Sequence, residues 1–318
     1  MLAACSHATP STLDRPTYTR ELQKLADRDS GAAVAIVVTP DGTWKGAAGW
    51  AGSNAKRRAH PDDRFAIEST TKTFVATVVL QLVGEGRLNL HDTVQQWLPG
   101  LFPAHPRITI RQLLNHSSGV PSDFGISQAP QIRVKRIAAQ GCCLFPPGTS
   151  SAYSNSDFVL LGLIVEKVTG RPLDQVVTNR IIHRLHLQGT SYGTERAQHM
   201  TPWLGQVESF GRPVSGDGGI ISTVEDVATF FRALLGGELL APEQLAEMTR
   251  TIAGEGSDLR YGVGIFRYRL PCGFAWGHGG INSYQVDVHV ARDGSKAVVW
   301  AVNNPMPSDW SFGDIYCA

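Results

Sequence analysis

A serine three residues ahead of a lysine is the first pattern in this chain that could do chemistry. On a helix that spacing puts both side chains on one face, about 5 to 6 Å apart at Cβ, so the amine reaches the hydroxyl. Two such pairs occur. Ser53-Asn54-Ala55-Lys56 runs into Arg57 and Arg58, a polar stretch with no helix to fix the geometry, and reads as coincidence. Ser69-Thr70-Thr71-Lys72 opens a segment, Thr70 to Gly84, that is apolar nearly all round through Phe74, Val75, Val78, Val79, Leu80 and Leu82. That pattern predicts a helix buried between layers, with Ser69 where N-terminal amides can stabilise a developing oxyanion. The plain alternative for Ser69 is an N-cap.

Two further triplets add to the pair. Tyr153-Ser154-Asn155 follows the turn Pro146-Pro147-Gly148 and precedes a helical segment, and it is the single Tyr-x-Asn in the chain. A tyrosine beside an ammonium can shuttle protons, and an asparagine amide can hold the lysine or a substrate amide. His278-Gly279-Gly280 stands at the end of a strand-like segment, where the glycines let a substrate backbone approach. Read singly, these are an aromatic under a turn and a chance match. The Gly-x-Ser-x-Gly elbow, the P-loop, the Rossmann glycine pattern and His-Glu-x-x-His are all missing.

The elements that must position these residues follow from periodicity. Ala33 to Thr39, the turn Pro40-Asp41-Gly42 and Thr43 to Ala51 predict an opening hairpin. Helical signals recur at Ile110 to Leu114, Ser156 to Val168, Leu173 to Leu185 and Val224 to Leu235, the last with Thr223 as N-cap. Tyr261 to Leu270, Gly273 to Trp276, Tyr284 to Ala291 and Lys296 to Val302 read as strands. Strands at both ends with helices between predict an α+β fold: one antiparallel sheet flanked by helices, with a mostly helical region inserted. The expected division is a tether over 1–20 with a short helix beyond it near Leu22 to Leu25, a discontinuous sheet domain from 21–68 and 215–318, and the helical region 69–214. The site would lie in the cleft between the last two.

Composition narrows the partners. The 318 residues carry 29 basic against 28 acidic side chains, a net charge of +1, with no basic run longer than Lys56-Arg57-Arg58, so nucleic acid is not expected. The longest apolar stretch, Phe74 to Val83, falls short of the roughly 18 to 20 residues that span a bilayer. The five cysteines, Cys5, Cys142, Cys143, Cys272 and Cys317, show no zinc-site spacing, and no metal is expected. His183 and His186 lack a third ligand and read as surface histidines. Leu2-Ala3-Ala4-Cys5 has the residue pattern of a bacterial lipoprotein cleavage site, although the apolar segment that should precede it is missing. The expectation is an exported envelope protein with a lipid on Cys5 as its one membrane link; the alternative is an accidental match. Cys142-Cys143 reads either as a pair of partly buried thiols or as a vicinal disulfide.

Taken together, Ser-x-x-Lys, Tyr-x-Asn and His-x-Gly in this order resemble the penicillin-recognising serine hydrolases. The branch is the one holding class C β-lactamases, secreted D-alanyl-D-alanine carboxypeptidases and related esterases, whose fold is β-lactamase/transpeptidase-like. The likeness covers about two-thirds of the chain and includes Leu114-Asn115-His116-Ser117-Ser118-Gly119, in which His116 is structural. The resemblance implies that Ser69 is acylated, that Lys72 and Tyr153 exchange protons, and that Asn155, His278, Gly279 and Gly280 contact substrate. It also implies an oxyanion hole from the amides of Ser69 and Ile281, a disulfide between Cys272 and Cys317, and no cofactor. The substrate would be a D-amino-acid peptide, an ester or a β-lactam, with D-amino-acid peptide hydrolysis the first choice. Esterase or weak β-lactamase activity is one alternative, and a non-catalytic peptidoglycan- or partner-binding protein is another. One departure stands out. Carboxypeptidases of this branch hold the terminal carboxylate with hydroxyls beside the His-x-Gly glycine and with an arginine on the neighbouring strand. Here Gly279 and Ile281 replace the hydroxyls, and either Phe266 or Arg267 takes the arginine position. Adjacent strand residues face opposite ways, so which of the two faces the cleft decides whether a carboxylate is recognised.

Overall fold

The computed structural model describes residues 13–28, 31–51, 57–105, 107–125, 128–193, 213–252, 259–282, 284–303 and 313–317. Helix α1 (Arg15–Arg28) leads into the hairpin β1 (Ala32–Thr39) and β2 (Gly42–Gly49). After β3 (Phe65–Ala66) and a short turn of 3-10 helix at Glu68–Thr70 comes α2 (Thr71–Gly84). The middle of the chain is helical: α3 (Val94–Trp97), α4 (Ile110–Leu114), α5 (Pro130–Ala139), α6 (Asn155–Thr169) and α7 (Leu173–Val177). Short strands β4 (Ser191–Tyr192) and β5 (Ile220–Ser222) precede α8 (Val224–Leu235) and α9 (Pro242–Met248). The chain then returns to strands: β6 (Leu259–Tyr261), β7 (Phe266–Leu270), β8 (Gly273–Gly277), β9 (Gly280–Ile281), β10 (Gln285–Val290) and β11 (Ala297–Val302), with α10 (Gly313–Cys317) last.

The main sheet runs β2-β1-β11-β10-β8-β7-β6 and is antiparallel throughout, with β9 paired to β10. Strands from the two ends of the chain meet where Ile36 pairs with Val299. Both faces of this centre are covered, which explains why β1 and β11 are apolar without alternation. Val34, Ile36, Val288 and Val299 face the core that holds α2, α6 and α8, while Ala33, Ala35, Val298 and Trp300 pack under Tyr18 and Leu22 of α1. Helix α1 therefore begins at Arg15, inside the stretch expected to be a tether, because Tyr18 is needed to cover the outer face.

The other differences from the periodicity have local causes. The single strand expected over Tyr261 to Leu270 is a hairpin, β6 and β7, closed between Tyr261 and Phe266. Its turn carries Gly264 at φ +72°, so close to Ala76 of α2 that a Cβ would collide with it, and the Gly264 amide bonds to Leu114 O at 3.1 Å. The helix expected from Leu173 to Leu185 changes to a π-turn over Thr178–Ile182. Helix α2 is buried on every side, as its composition requires, with Phe74 stacked on Phe230 of α8 at 3.6 Å between ring centres. Thr223 caps α8 by accepting from the Asp226 amide at 3.1 Å.

Candidate active site

Ser69 lies in the 3-10 turn that leads into α2, and Lys72 follows one turn later. The Lys72 side chain is fully buried and its Nζ meets three oxygens: Ser69 Oγ at 2.9 Å, Asn155 Oδ1 at 2.8 Å and the backbone O of Asp217 at 3.3 Å. Three acceptors match the donors of an ammonium, and the hydroxyl alone can reverse its role. The i to i+3 spacing accounts for the first contact; the second comes from outside the helix. Asn155 is the first residue of α6, where its amide donates to Ser122 Oγ at 3.1 Å and Ser156 Oγ donates to Pro121 O at 2.5 Å, so the α6 start is tied to the 121–123 loop. Asp217 is held by Arg133, whose guanidinium makes two bonds to its carboxylate, at 2.9 and 2.8 Å, with almost no exposure. Nothing in the sequence points to this Arg133–Asp217 pair, because 84 residues separate the partners.

Tyr153 stands over this group. Its ring centre is 4.9 Å from Lys72 Nζ, and the side chain is 43% exposed, so one edge is open to a ligand. Behind it lies His116, the third residue of the Leu-Asn-His-Ser-Ser-Gly segment, with ring centres 4.4 Å apart. His278 is 1% exposed. Its Nδ1 lies 2.6 Å from Gly279 O, a group that only accepts, so Nδ1 carries the proton and Nε2 accepts from the Tyr261 hydroxyl at 3.3 Å. Burial, reinforced by the charge of Lys72, pushes the His278 pKa down to about 3, so this imidazole is neutral.

The wall opposite α2 is set by the glycines. A Cβ on Gly280 would stand 2.5 Å from Ile67 O and 3.0 Å from Ser69 N, so β9 lies against the Ser69 turn with no room for a side chain. A Cβ on Gly279 would meet only Asp287 Oδ1, Val286 O and Tyr268 Oη at 3.5 to 3.9 Å, ordinary contact distances. Ile281 is 60% exposed. The open choice between Phe266 and Arg267 resolves to Phe266: its ring is 4.5 Å from Tyr261, 4.9 Å from His278 and stacked toward Tyr153 at 6.3 Å. Arg267 turns away and lies over Phe274 at 4.7 Å. The cleft wall is therefore aromatic where a carboxylate clamp would need a guanidinium.

Cys272 and Cys317 are joined, with S–S 2.03 Å, fixing α10 beside β8. Cys142 and Cys143 are also joined, so the thiol-pair reading gives way to the vicinal disulfide. Among the described residues the one group of three metal-ligand types is His105, Cys142 and Cys143, and its two sulfurs are bonded to each other. Cys5 and the Ser53 to Lys56 match lie outside the described residues. No helix among those described is long and apolar enough to cross a membrane.

Residues 19–313 match the Beta-lactamase family, and the chain belongs to it. The fold is similar to a D-stereospecific amidohydrolase from Streptomyces sp., with TM-score 0.78 and 34% identity, covering 90% of this chain and 94% of that one. It is also similar to the D-amino acid amidase of Ochrobactrum anthropi SV3, with TM-score 0.76 and 25% identity, covering 92% of this chain and 94% of that one. Among curated proteins, Protein flp of Staphylococcus aureus is 32% identical over 189 residues, 54% of this chain and 38% of that protein, so this chain spans about two-fifths of its length. The putative penicillin-binding protein PbpX of Bacillus subtilis is 26% identical over 256 residues, 76% of this chain and 62% of that protein.

Proposed function

We propose that this member of the Beta-lactamase family is a serine hydrolase that forms an acyl-enzyme at Ser69, acting on D-amino-acid amides, peptides or esters whose leaving side bears no carboxylate. The convergence of Ser69 Oγ and Asn155 Oδ1 on Lys72 Nζ, at 2.9 and 2.8 Å, carries the reading. Ser69 Oγ attacks the carbonyl carbon while its proton passes to the Lys72–Tyr153 pair, which at rest holds one proton fewer than an ammonium and a phenol together. The carbonyl oxygen becomes an oxyanion facing the amides of Ser69 and Ile281. As the bond to the leaving nitrogen or oxygen breaks, the same pair returns the proton to it. Water then attacks the Ser69 ester, gives up its proton by the reverse route, and frees the acid.

Asn155 serves twice, holding Lys72 and offering an amide edge to the acyl side of the substrate. His278, neutral and dry, packs the wall beside Gly279 and Gly280 without offering a charge. The leaving-side preference rests on Phe266 and Gly279, which leave neither guanidinium nor hydroxyl for a carboxylate. Losing such charge-assisted bonds removes about 1.5 to 3 kcal/mol each. The D-stereospecific amidohydrolase and D-amino acid amidase among the structural relatives support amides of D-amino acids as the substrate class. An ester is the second reading, favoured by the same aromatic wall. A β-lactam carrying the carboxylate would be a poor ligand. The Cys272–Cys317 bond supports an exported setting, since such bonds persist outside the reducing cytosol, and lipid on Cys5 belongs to the same reading.

Intact-mass measurement after a fluorophosphonate, on the native protein and on Ser69→Ala, tests the reaction class: the native protein gains one adduct and the variant none. No adduct on the native protein sinks the hydrolase reading. Turnover of D- against L-phenylalanine amide, and of a D-alanyl-D-alanine peptide against its C-terminal amide, tests the substrate. A preference for the free carboxylate would overturn the leaving-side assignment.

A further inference from the structure

Past Gly279 the strand wall carries a carboxylate. Asp287 stands on β10, and its Oδ1 accepts from the Val288 amide at 3.0 Å and from the Tyr268 hydroxyl at 3.4 Å. The side chain is 22% exposed, so part of it meets solvent. Among the described residues its one basic neighbour is His289, whose Nε2 stands 3.9 Å from Oδ2, beyond hydrogen-bond reach. Burial holds the Asp287 carboxyl above its ordinary range, against the pull of His289, the Val288 amide and Tyr268 toward the anion. A carboxylate mostly withdrawn from water, with no cation bonded to it, bears a desolvation cost that an arriving cation relieves.

The acid is joined to the cleft by a row of side chains and by a gap. Phe266 and Tyr268 stand two apart on β7 and share a face, with ring centres 5.9 Å apart. Phe266 faces Tyr153 and Tyr268 reaches Asp287, so the row runs from the site to the carboxylate. Gly279 supplies the gap: the place a Cβ would take lies 3.5 Å from Asp287 Oδ1 and 3.9 Å from Tyr268 Oη. A ligand atom there meets the carboxylate and the phenol together. Gly280, the next residue, lies against Ser69 N, so the gap is one residue along the strand from the Ser69 turn. Aromatic rings and a carboxylate attract a cation and disfavour an anion.

We propose that Gly279, Tyr268 and Asp287 form a cation subsite on the leaving side of the cleft, which takes a protonated amine carried by the departing group. The proposal rests on the acyl-transfer reading and deepens it: the wall does more than omit a carboxylate clamp, because it offers the opposite charge. The leaving groups that fit are diamines and amino alcohols, bonded to the acyl carbon through one end and charged at the other. The ammonium keeps its proton throughout, and no bond forms or breaks at it. Asp287 is thus a specificity-determining residue, in contact with the leaving group and away from the reacting atoms.

The test is a matched series of D-phenylalanine amides and esters whose leaving groups, from ethyl to pentyl in length, end in ammonium, methyl or carboxylate. The acyl part is constant, so its own charge cancels in every ratio. At the length that reaches Asp287, kcat/KM for the ammonium member should exceed that of the methyl member by about tenfold, the weight of one charge-assisted contact in a partly solvated cleft. The carboxylate member should fall below both. In Asp287→Asn the ammonium-to-methyl advantage should vanish. A merely structural role for Asp287 would lower both members alike and leave their ratio standing; that result overturns the proposal, and so does a parent with no ammonium preference at any length. If Asp287→Asn fails to fold, Gly279→Val decides, because its side chain fills the gap and leaves the carboxylate in place: the advantage should again vanish, and a parent-like ratio overturns the proposal. Turnover without charge preference, or a fluorophosphonate adduct at Ser69 without turnover of any ammonium member, sinks the subsite alone. Absence of both adduct and turnover defeats the acyl-transfer reading itself.

Discussion

The two walls of the cleft are built by different physics. On the helical wall, Ser69 and Asn155 meet on Lys72 in one polar knot, and the lysine is out of reach of water. On the strand wall, Phe266, Tyr261 and His278 pack ring against ring, and Gly280 of β9 admits the Ser69 turn at contact distance. The contrast teaches where such an enzyme can vary. A polar knot fails if any member is left unpaired, since a buried donor without its acceptor costs about 1 to 3 kcal/mol. An aromatic wall can trade one ring for another group and change only what is bound. In the proposed reading, reaction and specificity are thus separated across a few ångströms.

Acid is the strongest way to break the strand wall, because it contains a buried neutral histidine. His278 has its folded pKa lowered to about 3 against about 6.5 unfolded, so below pH 6.5 the unfolded chain binds a proton that the folded one refuses. Stability falls as pH falls through that window, by about 1.4 kcal/mol per unit, or roughly 3 kcal/mol by pH 4. His116 and Asp157, 2.9 Å apart, add nothing there, since burial lowers the pKa of the first and raises that of the second: unfolded, the proton sits on the histidine, and folded, on the acid. Below the ordinary carboxylate range the unfolded chain takes up a second proton and the slope steepens. Urea unfolding from pH 7 to 4, compared with His278→Gln, checks this; the same slope in both would refute a neutral His278.

Gly280→Ala is the next largest perturbation. A Cβ 2.5 Å from Ile67 O and 3.0 Å from Ser69 N must drive β9 away from the Ser69 turn, since both obstacles are backbone. A shift near 1 Å costs about 100-fold in rate if the Ser69 and Ile281 amides are the oxyanion donors proposed above. Gly279→Ala, one residue earlier, meets nothing closer than 3.5 Å and should retain activity within a few-fold. Comparing kcat/KM of the two variants on one amide substrate tests the claim, and similar losses would mean that the strand does not touch the turn as described.

The unequal legibility of the two walls has the same origin as their chemistry. Ser69 and Lys72 announce themselves because helix geometry converts a spacing of three into a contact, and the all-apolar run after them fixes the helix. Asn155 reads through its place at a helix start. Asp217, whose backbone O is the third partner of Lys72, and Arg133, which holds it, are silent, because their meeting depends on how two distant segments pack. On the strand wall, alternation leaves Phe266 and Arg267 equivalent until register is known. The hairpin turn at Gly264 sets that register, and its cause is tertiary: the turn must fit against Ala76. His116 is legible only through its motif, and its contacts with Ser154 and Asp157 become visible once α6 packs behind it.

Phe266→Arg sharpens the contrast by giving the strand wall a charge. The ring already faces Tyr153 and His278, so a guanidinium there would reach the leaving side of the substrate. One charge-assisted bond is worth about 1.5 to 3 kcal/mol, and partial solvation of the cleft cuts the gain to about tenfold. The ratio of kcat/KM for a D-alanyl-D-alanine peptide over its C-terminal amide should rise by that factor, with the rate of Ser69 labelling changed little. A ratio that does not move would separate carboxylate recognition from this position.

Arg267→Ala should have the smallest effect and the sharpest diagnostic value. Arg267 pairs with Trp276 across the ladder and lays its guanidinium over Phe274, on the side of β7 away from Tyr153. The Phe274 ring is 54% exposed, so that cation–π contact contributes only about 0.5 to 1 kcal/mol. Stability should fall by no more than that, and the carboxylate-to-amide ratio should stay within about twofold, since the charge lies too far round the strand to steer a screened carboxylate. A tenfold fall in the ratio would mean that Arg267, not Phe266, faces the substrate. Because a slip of one residue exchanges the two faces of a strand, that single result would move the register of β7 and make the aromatic wall a carboxylate clamp.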